Sequence, residues 1–148
     1  PRPLVVGNYF ARHPLFWRAP WLFRPRITNE RMGEVYARRA VSLNVHAQVV
    51  RGGTNMRTFE CAGYGIAQLV EARPGLDSLF DPGEEIAVYD DPGVLPETLA
   101  ELLRDAPRQK RLIAKAAARV LSEHSYEHRI ATLLHEVIEE PVLADWRK

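Results

Sequence analysis

Apolar and polar positions recur along this chain with two periods, and the switches between them predict its elements. Leu4-Val5-Val6, closed by Gly7-Asn8, reads as a first strand ending in a turn. Thr28 or Asn29 caps a helix that continues through Glu34, Val35 and Tyr36 to about Arg39. Ala40 to His46 alternates apolar and polar with β-branched residues, the pattern of a strand. Met56 to Ala62 reads as a short helix, Ile66 to Val70 as the next strand and Glu85 to Tyr89 as another. Asp91-Pro92 places a cap and a first-turn proline ahead of a helix reaching about Asp105. Leu112, Ile113, Ala116, Ala117, Val120 and Leu121 then repeat at helical spacing. After Ser125 as a cap, so do Tyr126, Ile130, Leu133, Leu134, Val137 and Ile138, and both stripes are expected to face a core. Strands alternating with helices predict the α/β class, a Rossmann-like parallel sheet flanked by helices in a single domain spanning 1–148.

Residues 1–33 fit that pattern least. Six of the thirteen aromatics fall between Tyr9 and Phe23, with Arg12, Arg18 and Arg24 among or beside them, and Pro14 and Pro20 prevent one long helix. Such a segment can stack on single-stranded nucleic acid, pack as a loop or cover a neighbouring domain. With prolines breaking it and no RNA-binding motif around it, no nucleic-acid partner is expected.

Length and composition narrow the class. At 148 residues the chain is the size of one ordinary domain and can build a core without staples. The one cysteine, Cys61, excludes an intrachain disulfide framework and a multi-cysteine zinc site, and suits a reducing compartment. No apolar run reaches the ~20 residues of a membrane span, and no leader is visible, so a cytoplasmic location is expected. Opening on Pro1, the chain reads as a piece of something longer. Its net charge of +1 hides a sorting: residues 1–40 carry +6, and residues 71–105 carry −8. Two differently charged surfaces follow, one of them suited to an anionic ligand.

In open α/β sheets ligands bind beyond the carboxyl ends of the strands, which directs attention to the segment from Asn44 to Glu60. Its strand ends near His46, its loop carries Gly52-Gly53 and Thr54, and its helix begins near Asn55. Glycines let a backbone approach a phosphate, and the exposed N–H groups of a helix start favour an anion. Arg57 in the first turn can add a charge-assisted bond to a phosphoryl oxygen, and Glu60 can accept hydrogen bonds from paired sugar hydroxyls. An ordinary capped loop with a solvated Arg and Glu fits the same spacing. The segment is neither a Walker loop nor a GxGxxG fingerprint. No Asp/His cluster stands at metal-ligand spacing, so no metal or cofactor is expected. The residues single out no catalytic group, and Cys61 reads as a small apolar side chain.

At this segment the sequence resembles a known family. Asn55-Met56-Arg57-Thr58-Phe59-Glu60-Cys61-Ala62-Gly63-Tyr64-Gly65 is similar to the N-x-R-x-F-E-x-x-A-x-G helix of spore-maturation-protein-B-like (CgeB-like) glycosyltransferases. Leu43-Asn44-Val45-His46 matches the LN-x-H strand that precedes it. Leu76-Asp77-Ser78-Leu79-Phe80 with Gly83-Glu84-Glu85 resembles a later turn, and Tyr89-Asp90-Asp91 and His124-Ser125-Tyr126-Glu127-His128-Arg129 resemble two more elements, so that residues 34–134 are covered in order. The resemblance implies a two-domain GT-B enzyme of which this chain is the donor-binding half, its partners being a nucleotide-sugar and an N-terminal acceptor-binding domain. It implies that Glu60 holds the ribose hydroxyls, that Gly53, Thr54 and Asn55 face the diphosphate, and that Pro25 to Ile27 meet the base. Asn44 and His46 would line the same cleft. The larger retaining group carries a second glutamate eight positions earlier; here that position is Gly52. Isolated, such a half would bind the donor nucleotide and catalyse little. Two alternatives remain open, a non-catalytic nucleotide-binding module and a protein-interaction module of the same fold.

Overall fold

The computed structural model describes residues 3–7, 10–47 and 51–139, and within them every strand pairs parallel with its neighbour. Two compact units divide the chain, Pro1–Val35 and Tyr36–Lys148. In the first, β1 (Val5–Gly7) lies beside β2 (Phe23–Pro25), with Val5 opposite Phe23. Between them run a 3-10 turn at Phe10–Arg12, the helix α1 (Pro14–Arg18) and a second 3-10 turn at Pro20–Leu22. Pro14 and Pro20 each open a helical turn, where a missing N–H costs nothing, and each ends what precedes it. Strand β2 was not foreseen, because three residues are too few for a period to show. Helix α2 (Asn29–Tyr36) starts where expected and stops three residues early, the Arg39 N–H closing a turn onto the Tyr36 carbonyl.

The second unit holds a three-stranded sheet in the order β3 (Val41–Asn44), β4 (Ala67–Glu71), β5 (Ala87–Tyr89). Its helices are α3 (Met56–Gly63), α4 (Leu95–Arg104), α5 (Ala106–Glu123) and α6 (Tyr126–Glu139). Parallel strands need crossovers, and α3 supplies the one between β3 and β4. β4 is central and buried until its last residue, which explains why its sequence is apolar rather than alternating. Successive side chains of a strand face opposite ways. Leu69 accordingly packs with Tyr89, Leu102 and Leu112, and Val70 packs with Ala62, Phe80, Ile86 and Ala116. The Rossmann-like α/β architecture expected from the alternation is present, with the strands in two parallel sheets rather than one.

Two local expectations fail. Asp91 does not cap a helix: its carboxylate takes the Gly93 N–H at 2.7 Å and shapes a turn, and α4 begins at Leu95 with Pro96 in its first turn. The apolar stripe of α6 is not a core face. Tyr126, Ile130, Leu133, Leu134 and Val137 are all exposed, Tyr126 by 76%, whereas on α5 Leu112 and Ala116 are buried and only Leu121 stands out. The side chain of Ile138 lies outside the described residues. Among the described residues the sheet's faces are covered by α3, α4 and α5, and the apolar stripe of α6 is left exposed. Its start is nevertheless anchored: Ser125 Oγ accepts the His128 N–H at 3.3 Å, and the His124 ring meets the Leu79 carbonyl at 2.8 Å and the Phe59 and Phe80 rings. Among the described residues no helix is long and apolar enough to cross a membrane.

Candidate functional site

Asn44, the last residue of β3, meets the amino end of α3, and Glu71, the last residue of β4, meets His46 just beyond β3. Asn55 is the cap of that helix, its side chain accepting the Arg57 N–H at 3.0 Å. Its amide also exchanges two bonds with the amide of Asn44, Nδ2 to Oδ1 at 2.9 Å and the reverse at 3.0 Å. Asn44 Nδ2 donates as well to Thr58 Oγ1 at 2.8 Å, and the Thr58 and Thr54 hydroxyls are hydrogen-bonded to one another at 2.5 Å. The chain of contacts ends on His46, whose Nε2 lies 3.0 Å from Thr54 Oγ1. Four sequence-selected residues, Asn44, His46, Thr54 and Asn55, thus form one hydrogen-bonded ladder that fixes the start of α3 against the sheet.

Glu71 holds the other side of His46. Its Oε2 accepts the His46 N–H at 3.1 Å and lies 3.8 Å from Nδ1, while Oε1 pairs with Arg73 at 2.9 Å. Burial lowers the imidazole pKa from its ordinary value, against the pull of Glu71 and with the push of Arg73, so the ring is neutral at pH 7. Glu71 is held below the usual carboxylate range, first by the His46 N–H and then by Arg73. Three buried side-chain atoms have no hydrogen-bond partner among the described residues: His46 Nδ1, Arg73 Nε and Gln68 Oε1. All three belong here, since Gln68 is the residue whose Nε2 ties the Thr58 carbonyl to β4 at 3.0 Å. Buried polar atoms are satisfied almost everywhere in folded proteins, so their gathering at one place marks it.

The glycine loop is pinned rather than open. Gly53, at φ +71°, gives its N–H to the Pro74 carbonyl at 2.7 Å, and a Cβ on Gly52 would stand 3.3 Å from that same oxygen. Among the described residues the backbone N–H groups of Thr54, Asn55 and Met56 take no backbone acceptor. Arg57 and Glu60 face a different direction. They form an ion pair at 2.8 Å, and the same guanidinium nitrogen reaches the Tyr36 hydroxyl at 3.3 Å. Burial, aided by Cys61, pushes the Tyr36 phenol up to about 12 against the opposing Arg57, which leaves it protonated. Cys61 is fully buried, its thiol 3.4 Å from Ser42 Oγ and pushed up by burial, the setting of an inert thiol.

Thr58, Glu71, Arg73 and Tyr36 were not singled out from the sequence. Thr58 carries a signal in hindsight, one helical turn after Thr54, and Glu71 is the lone charge closing an apolar strand. Among the described residues no three His, Cys, Asp or Glu side chains are grouped to hold a metal ion. Pro25 to Ile27 lie in the first unit.

A sequence-family model described as glycosyl transferase-like matches residues 2–135. No curated protein matches the chain significantly. With a parallel α/β scaffold, a ladder of side chains at the strand ends and a match over nearly the whole sequence, the chain belongs to the glycosyl transferase-like family.

Proposed function

We propose that the chain is the donor-binding half of a CgeB-like GT-B glycosyltransferase and holds the nucleotide diphosphate of an activated sugar at the start of α3. The observation that carries this reading is the ladder from His46 to Asn55, which spends six side-chain contacts on immobilising one helix terminus. A fixed N–H array is what a developing diphosphate charge requires, because dipoles already in place need no reorganisation during sugar transfer. Thr54, Asn55 and Met56 offer those N–H groups, Gly53 serving by placing the loop. Glu60 presents the carboxylate for the ribose hydroxyls, and Arg57 with Tyr36 behind it sets the carboxylate's position. The acceptor hydroxyl and any general base belong to the other half of the enzyme, and no catalytic residue is assigned to this one.

Calorimetric titration with UDP, GDP and their sugar derivatives tests the reading. A half-site is expected to bind one base with a dissociation constant of about 1 mM or tighter, about −4 kcal/mol. Loss of a charged hydrogen-bond acceptor in Glu60→Ala weakens that binding by about tenfold or more. Equal affinity of both proteins removes Glu60 from its role, and absence of binding to every nucleotide tested overturns the reading.

A further inference from the structure

The segment from Phe10 to Ile27 has a composition unlike the rest of the chain. Its eighteen residues include no Ser, Thr, Asn, Gln, Asp, Glu or Lys; the polar side chains are Arg12, Arg18, Arg24, Arg26 and His13. No acidic residue occurs before Glu30. The fold displays this composition rather than hiding it. Trp17 is 72% exposed, Trp21 62% and Leu15 42%, and all four arginines are exposed.

One of the exposed rings is tied to the fold. Trp17 Nε1 donates to the Ala11 carbonyl at 2.9 Å, and its ring packs edge-on against Phe16, which in turn packs against the buried Phe23. Arg24 donates to the carbonyls of Trp21 and Phe23 and so braces the second turn. Exposed indoles and an exposed leucine, on a segment whose charges are four exposed arginines, bring apolar area and positive charge to the surface together. We infer that this surface docks on an anionic lipid bilayer, with Trp17, Trp21 and Leu15 entering the headgroup boundary and the arginines meeting lipid phosphates.

The chemistry favours a bilayer over the other anionic partners. The segment has no amide, carboxylate or hydroxyl side chain, so beyond its guanidinium donors it carries little with which to tell one sugar or base from another. Trp17 has spent its only polar atom inside the protein. Tryptophan with arginine is the pairing found where an apolar boundary meets charged headgroups, and a leucine adds insertion without recognition. Several basic side chains over an anionic leaflet add attraction that falls off within a Debye length. The inference does not depend on donor binding at α3.

Sedimentation with vesicles of phosphatidylglycerol and phosphatidylcholine in equal parts tests it, beside vesicles of phosphatidylcholine alone. The chain is expected to sediment with the anionic vesicles only and to be released by molar salt. In a Trp146→Phe background, fluorescence from Trp17 and Trp21 is expected to shift to the blue on binding. Arg18→Ala and Arg26→Ala, both at exposed positions, are each expected to weaken partitioning roughly fivefold. Trp17→Ala with Trp21→Ala is expected to abolish the interaction, with circular dichroism to confirm the fold. Failure to sediment with anionic vesicles overturns the inference. So does sedimentation without a fluorescence shift, or arginine variants that bind as well as the parent. Tighter binding to single-stranded poly(U) than to vesicles assigns the surface to nucleic acid and overturns it too.

Discussion

Asn44 is 3% exposed, and the amide it shares with Asn55 cannot exchange its partners for water. Asn55→Ala therefore does two things: it removes a helix cap, worth about 1 kcal/mol, and strands a buried amide, worth about 1–3 kcal/mol more. Urea denaturation is expected to show a loss of about 2–4 kcal/mol, and a loss confined to an ordinary cap would mean that Asn44 finds another partner. His46 gives a second readout. Its folded pKa lies below the ordinary 6.5, so on acidification through that value the unfolded chain takes up the proton first and stability falls. Glu71 adds a separate loss at lower pH, because its folded pKa lies below 4.5 and its contribution disappears as pH drops through that folded value. Melting temperature against pH should fall in both windows, and His46→Gln should flatten the upper one while Arg73 and Glu71 keep their pair. A profile unchanged by that substitution would contradict the burial of the ring. The cap at Asn55 and the polar ends of β3 were legible because capping and strand-end rules are local. The pairing of Asn44 with Asn55, eleven residues apart, and the approach of Glu71 from the neighbouring strand depend on register, which no local pattern encodes.

At the scale of elements, α5 and α6 carry similar apolar stripes and meet opposite fates. Periodicity predicts that a helix has an apolar face, and only packing decides what covers it. Leu112 of α5 lies in the core with Leu69, Tyr89 and Leu102, so Leu112→Ala is expected to cost about 2–5 kcal/mol. Leu133 of α6 is 58% exposed, and Leu133→Ala is expected to change stability by no more than about 0.5 kcal/mol. Chemical denaturation of the pair checks both, and similar costs would mean that α6 is buried in solution. One helix start, that of α4, differs from the expectation. Asp91-Pro92 has the residue types of a start, yet its carboxylate satisfies Gly93 in a turn, and the true first-turn proline is Pro96. β1 and β2, three residues each, owe their existence to one another, which explains why only the first was visible as an apolar run.

Across the whole molecule the expected sorting of charge has a structural counterpart. Among the described residues the arginines of the first unit, Arg12, Arg18, Arg24, Arg26 and Arg31, are exposed, while the acidic stretch that follows β4 supplies turns and the starts of helices in the second. The α/β class was legible from alternation, and membership of a glycosyl transferase-like family, at that coarser level, from the stretch around Asn55 and Glu60. The conversion of that stretch into a braced helix terminus was not, because it rests on Thr58, Gln68 and Glu71, whose partners lie on other elements. Donor binding at that terminus is most directly measured by following backbone amide resonances during titration with UDP and GDP. The expected result is a saturable shift concentrated on Thr54, Asn55 and Met56 with one of the two nucleotides, diminished in Glu60→Ala. Shifts that leave those three amides in place, or none with either nucleotide, would contradict a diphosphate site at the start of α3.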